Sequence, residues 1–163
     1  MSGIIAAFIA THIATMAGLW FGAVRLPTFD FNTINGWLVL GFMQAADTTF
    51  VIGGVIHYIN GILWGLIFVL LIHAVMGKWV AALGPLTPTI NLAKGLIWGW
   101  ALWLISSALW MPLVVGAIGI PIGPFLLNFG GVGYEAVVTN LLWHTIYGVN
   151  LGLIYNPTRG GSA

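Results

Sequence analysis

Four apolar runs of bilayer length, at residues 3–24, 50–76, 92–115 and 136–155, limit what this chain can become. At about 1.5 Å of rise per residue, roughly 20 apolar residues cover the hydrocarbon core of a bilayer as a helix. Backbone polar groups in lipid must find partners within the protein, which leaves helices or closed barrels, and runs this long are helices. The chain therefore reads as all-α and transmembrane, a four-helix bundle in a single membrane domain over residues 1–163. Composition removes the aqueous alternative. Of the residues, 60% are hydrophobic and 4% charged, with a mean hydropathy of +1.06, where soluble domains carry about 25% charged residues.

The same scarcity of charge excludes a nucleic-acid binder: four basic and three acidic residues, scattered, make no basic footprint. Without cysteine there is no disulfide framework and no thiolate metal site. The first run lacks the basic flank of a secretory signal and is long enough to span, so it reads as a retained first helix. Between the first two spans, residues 25–49 hold the piece GWLVLGFMQAA, too short to cross and read as an interfacial or re-entrant apolar segment in an outer loop. The joint GKWVAALGPLTPTIN, with two prolines, is a short connection. An even number of spans puts Lys78, Lys94 and Arg159 on one side and Arg25, Asp30, Asp47 and Glu135 on the other. The excess of basic residues on the first side predicts cytoplasmic termini.

The two halves of the chain, about 1–78 and 90–157, share a pattern. HYINGILWGLIF from His57 lies over HTIYGVNLGLIY from His144, each reading H-x3-G-x3-G-L-I-aromatic, and in the same register the word at Gly36 lies over the word at Gly123. The offset is 87 residues, the separation of His57 and His144. With two spans per half, the second copy enters the membrane in the same direction as the first. The expectation is a pair of helical hairpins repeated in parallel about an axis along the membrane normal, unlike an inverted transporter repeat.

Each span also carries a G-x-x-x-G: Gly18 with Gly22, Gly61 with Gly65, Gly95 with Gly99, and Gly148 with Gly152. Backbones lacking side chains approach closely, and in lipid such packing drives helix association, so these eight glycines are the expected packing seams. His57 and His144 each precede a seam glycine by one turn and should face the packed side. A histidine in a bilayer needs a partner. Two readings are open. In one, the pair are the axial ligands of a b-type haem, neutral imidazole being a good iron ligand. In the other, each bonds across helices to Asn60, Tyr147, Asn140 or a backbone carbonyl.

Elsewhere the residues read as structure. His12, beside Thr11 and Thr15, bonds a neighbouring helix or joins a proton path, and His73 reaches water at the inner end of its span. Asp47 and Glu135 look like N-terminal caps. Pro112 kinks the third span, with Ser106 and Ser107 nearby to satisfy the freed carbonyl. Tryptophans such as Trp37, Trp79, Trp98 and Trp110 suit interfacial belts. No G-x-S-x-G, H-E-x-x-H or phosphate loop occurs, so an enzyme is not favoured and no catalytic residue or metal ligand is assigned.

The words GVIHYINGILWGLIF, KGLIWGWALWLISSALWMPLVVG and LLWHTIYGVNLGLIYNP resemble a family of uncharacterised prokaryotic four-span membrane proteins. In that family a histidine followed by spaced glycines opens spans two and four and a proline interrupts span three, matched here by His57, His144 and Pro112. The resemblance covers most of the chain and implies the four-span fold and a prokaryotic cytoplasmic membrane. It brings no established activity. The leading expectation is a non-catalytic membrane subunit or accessory protein, as of a respiratory or transport complex, packed against other membrane subunits or itself. The alternatives are a bis-histidine haem b electron carrier and a small homo-oligomeric channel or carrier.

Overall fold

The computed structural model describes residues 2–28, 30–41, 44–115 and 134–156. The repeat word at Gly123 and the basic residue Arg159 lie outside them. The described residues are helical with no strand. Helix α1 (Ser2–Trp20) ends in a 3-10 turn, Phe21–Val24, and is followed by α2 (Phe31–Leu40) and α3 (Ala46–Ile67). A π-helical turn, Phe68–Ile72, leads from α3 into α4 (His73–Trp79). After a 3-10 turn at Ala81–Leu83 come α5 (Pro88–Ile105), its π-helical extension Ser106–Val115, and α6 (Tyr134–Ile154). Among the described residues, four helices are long and apolar enough to cross a membrane: Ser2–Val24, Ala46–Trp79, Pro88–Leu113 and Tyr134–Ile154. This is a multi-pass membrane protein.

Spans two and three begin one turn earlier than hydropathy suggests, because their first turns are polar. Thr87 caps α5 by accepting from the Ile90 amide at 3.3 Å, and Pro88 occupies the first position, where no amide hydrogen is needed. Asp47, expected as a cap, lies inside the first turn of α3. Ala45 is the N-cap and gives no side-chain bond, while Asp47 accepts from the Thr48 amide at 2.8 Å.

Helix α1 sits at the centre, packed against both α3 and α6, while α5 packs on α6 and α2 on α3. The buried residues of α1 explain its position: Gly3, Ala6, Ala7, Ala10, Thr11, Ala14, Thr15 and Gly18 are all small, so two neighbours can close on one helix. On α3 the buried residues Thr49, Gly53, His57 and Gly65 recur at multiples of four, one stripe of the helix.

Both π turns have local causes. Pro112 has no amide hydrogen and its ring would collide with the carbonyl four residues back, a clash that the wider turn relieves. In span two, Phe68 and His73 are five residues apart, which an α-helix would turn to different faces. The π turn brings both inward, with ring centroids 5.6 Å apart.

The apolar segment between the first two spans, expected to be interfacial or re-entrant, forms α2. It begins before the GWLVLGFMQAA piece and runs antiparallel along the first half of α3, not across the bundle end. Asp30 starts it, accepting from the amides of Asn32 at 3.0 Å and Thr33 at 3.1 Å and from the Thr33 hydroxyl. A Cβ at Gly53 would overlap the Asn32 carbonyl oxygen, and one at Gly36 would overlap that of Thr49, so α2 and α3 meet backbone to backbone. These two glycines were not among the expected seams, although Asn32 and Gly36, like Thr49 and Gly53, carry the small-residue spacing of four that marks one.

Candidate functional site

His57 lies about 16 Å along α3 from its start, and His144 about 15 Å along α6, at about 1.5 Å per residue. Both are deeper than spans starting at residues 50 and 136 imply, and both are buried. His57 meets α1: its Nε2 is 2.9 Å from the Thr15 hydroxyl. One turn further, a Cβ at Gly61 would overlap Thr11, and one at Gly65 would overlap Ala7. His144 Nδ1 donates to the Asn140 carbonyl oxygen on its own helix at 2.9 Å. Across the α5–α6 seam, a Cβ at Gly95 would overlap the Gly148 carbonyl oxygen, one at Gly99 that of His144, and one at Gly152 that of Asn91. Gly18 is buried in α1, and Gly22 lies in the 3-10 turn, where a Cβ would stand 3.0 Å from the Thr28 hydroxyl. Gly22 thus meets the following loop, not another helix.

The histidines do not face each other across an open slot. Phe31, the first residue of α2, stacks on His57 with ring centroids 5.4 Å apart, and its ring stands edge-on to His144 at 6.0 Å. Trp143 touches both, at 5.5 Å from His57 and 5.0 Å from His144. A haem ligated by both imidazoles needs a flat macrocycle where these two aromatic rings stand. The residues present do not fit that group: the repeat aligns the histidines, while Phe31 lies ahead of the aligned word that begins at Gly36.

Beside this cluster, between α3 and α5 with α6 behind it, is a cavity of about 310 Å³. Leu63, Trp64, Ile67, Leu102, Ile105 and Trp110 form its apolar walls. Its polar lining comes from His57 and His144 with Asn35, Asn60, Ser106 and Tyr147. Tyr147 ties α6 to α3 by donating to the Gly61 carbonyl at 2.9 Å, and Asn35 donates to the Phe31 carbonyl at 2.7 Å. A concave site with mostly apolar walls and a few convergent polar groups is the usual form of a small-molecule site. Asn60, one expected partner of the histidines, lines the cavity, and Asn140 meets His144 through its carbonyl while its amide donates to Ser107 at 3.0 Å.

His12 bonds a neighbouring helix, one of its two expected roles, and His73 is better connected than its sequence context implied. His12 Nδ1 is 2.7 Å from the Tyr58 hydroxyl on the exposed side of the α1–α3 seam. His73, expected to meet water, is buried and bonded through Nε2 to Asn91 at 3.0 Å, with Tyr155 edge-on at 5.2 Å. Lys94, expected at the loop, is 1% exposed near the start of α5. Of the belt tryptophans, Trp79 is exposed at a span end, whereas Trp98 is buried in the bundle and Trp110 lines the cavity.

No family model, curated protein or solved structure matches this chain.

Proposed function

We propose that this chain is a non-catalytic membrane protein that takes a small, largely apolar molecule from the bilayer into the cavity beside His57 and His144. The observation that carries the reading is the cavity itself: about 310 Å³, walled by aliphatic and tryptophan side chains, with a few polar groups that include two buried histidines. The size is at the lower end for ligand pockets and suits a compact molecule. Purified protein should retain a small lipophilic compound, detected by solvent extraction and mass spectrometry, and lose it when Leu102→Trp fills the cavity. Equal extracts from the two proteins, after subtraction of bulk lipid, would count against the reading.

The architecture that accompanies this function is a pair of hairpins, α1 with α3 and α5 with α6, repeated in parallel, with α2 re-entrant. Helix contacts support it. Gly61 meets Thr11 and Gly65 meets Ala7. The 87-residue offset would set Gly148 against position 98 and Gly152 against position 94. Their neighbours are Gly95 and Gly99 for Gly148, and Asn91, Leu92 and Gly95 for Gly152, all within one turn. The two-fold likeness stops at the cavity, which separates α3 from α5 where α1 and α6 pack directly. The prokaryotic cytoplasmic membrane rests on the family resemblance, and cytoplasmic termini on the bias of Lys78, Lys94 and Arg159 over Arg25.

A second reading, a subunit packed against a partner, is favoured by one observation. The hydrogen-bonded pair of His12 and Tyr58 lies on the outer side of the α1–α3 seam near mid-span, where lipid solvates polar groups poorly. A native mass measurement from gently solubilised membranes tests it: a lone monomer under conditions that preserve membrane complexes rejects it.

A further inference from the structure

At the histidine end of the cavity, hydrogen-bond directions specify the polar group that a ligand must bring there. Thr15 has one hydroxyl hydrogen, and its oxygen is 2.7 Å from the Thr11 carbonyl oxygen, which can only accept. That hydrogen is spent on Thr11. The Thr15 oxygen must then accept from His57, so His57 carries its hydrogen on Nε2 and its Nδ1 is a bare lone pair. His144 reaches the same state from the opposite nitrogen. Its Nδ1 donates to the Asn140 carbonyl, leaving Nε2 as the lone pair. Neither remaining nitrogen has a hydrogen-bond partner among the described residues. Two further lining groups also turn donors away from the cavity: the Tyr147 hydroxyl donates to Gly61, and Asn35 donates to the Phe31 carbonyl.

We infer that the cavity selects a hydroxyl-bearing apolar ring compound, of the phenol class, whose O–H donates to the bare imidazole nitrogens of His57 or His144. The inference rests on the cavity being a ligand site and adds the chemistry of the ligand. The flat walls of Trp64 and Trp110 suit a ring, and the neutral imidazoles suit a neutral hydroxyl. A ketone or ether brings only acceptors to this end and leaves lone pair against lone pair. Thr11 and Thr15 both lie on α1, so the proton pattern at His57 is set by that helix.

The test uses the full chain in lipid nanodiscs with two probes, 2-naphthol and 2-methoxynaphthalene, each affinity corrected for partition into empty discs. Naphthol should bind about five- to tenfold more tightly, the effect of one hydrogen bond to a buried acceptor. His144→Phe and His57→Phe should each reduce that preference. A second measurement needs no ligand and covers the case in which those variants fold poorly. Nitrogen-15 NMR of labelled histidine should find His57 protonated at Nε2 and His144 at Nδ1. Thr15→Val should shift the His57 tautomer and Thr15→Ser restore it. Equal binding of both probes, abolished by Leu102→Trp, overturns the hydroxyl assignment while leaving the cavity as a ligand site. Binding of neither probe overturns both. Zn2+ held with the same dependence on both histidines, in place of any naphthol preference, also overturns the assignment.

Discussion

Gly148 shows how little room a single position has. Its missing side chain lets the backbone of α6 rest on Gly95 and Gly99 of α5, and any Cβ there would enter the Gly95 carbonyl. Gly148→Val should therefore destabilise the fold by about 2 kcal/mol, the typical cost of overpacking, read as a lower midpoint in detergent unfolding. An unchanged midpoint would mean that α5 and α6 can part without loss. The histidines teach a different lesson at the same scale. Sequence spacing correctly turned His57 and His144 inward, because four residues from a packing glycine is one turn along the same face. It could not reveal that Phe31 and Trp143 stand against both rings, since Phe31 is 26 residues from His57 and on a separate helix.

Among the elements, α2 depends most on one side chain. Ten residues form few internal bonds, and a short helix is marginal without help at its ends. Asp30 supplies that help by accepting from two backbone amides and a hydroxyl. Asp30→Ala should cost about 1 kcal/mol, and amide hydrogen exchange at Asn32 and Thr33 should accelerate, with Asp30→Asn close to wild type. Exchange unaltered at those amides would show that packing on α3 alone holds the helix. Because Phe31 follows the cap directly, fraying here would also loosen the ring against His57. Hydropathy missed this helix's start because Asp30, Asn32 and Thr33 are polar. The bonds that Asp30 makes to Asn32 and Thr33 close within the turn itself.

For the whole molecule, the absence of cysteine makes topology directly testable. Lys78 and Arg25 are exposed near opposite ends of the bundle. Single Lys78→Cys and Arg25→Cys chains should react with a membrane-impermeant maleimide from opposite faces, Arg25→Cys from outside intact cells and Lys78→Cys after permeabilisation. Labelling of both from the same face would refute the even-span arrangement, and a reversed pattern would invert the orientation inferred from charge.

What the sequence alone determined was the medium, the number and approximate limits of the spans, and the faces they bury. Hydropathy over 20 residues and spacing by fours are local properties of a helix, readable without neighbours. Only the tertiary structure decided which helix occupies the centre, that α2 folds back along α3, and that α3 and α5 stand apart around a cavity. It also decided which nitrogen of each histidine is hydrogen-bonded within the protein. Those outcomes depend on which backbones can touch and on which single acceptor takes each proton, and both are set by residues distant in the chain.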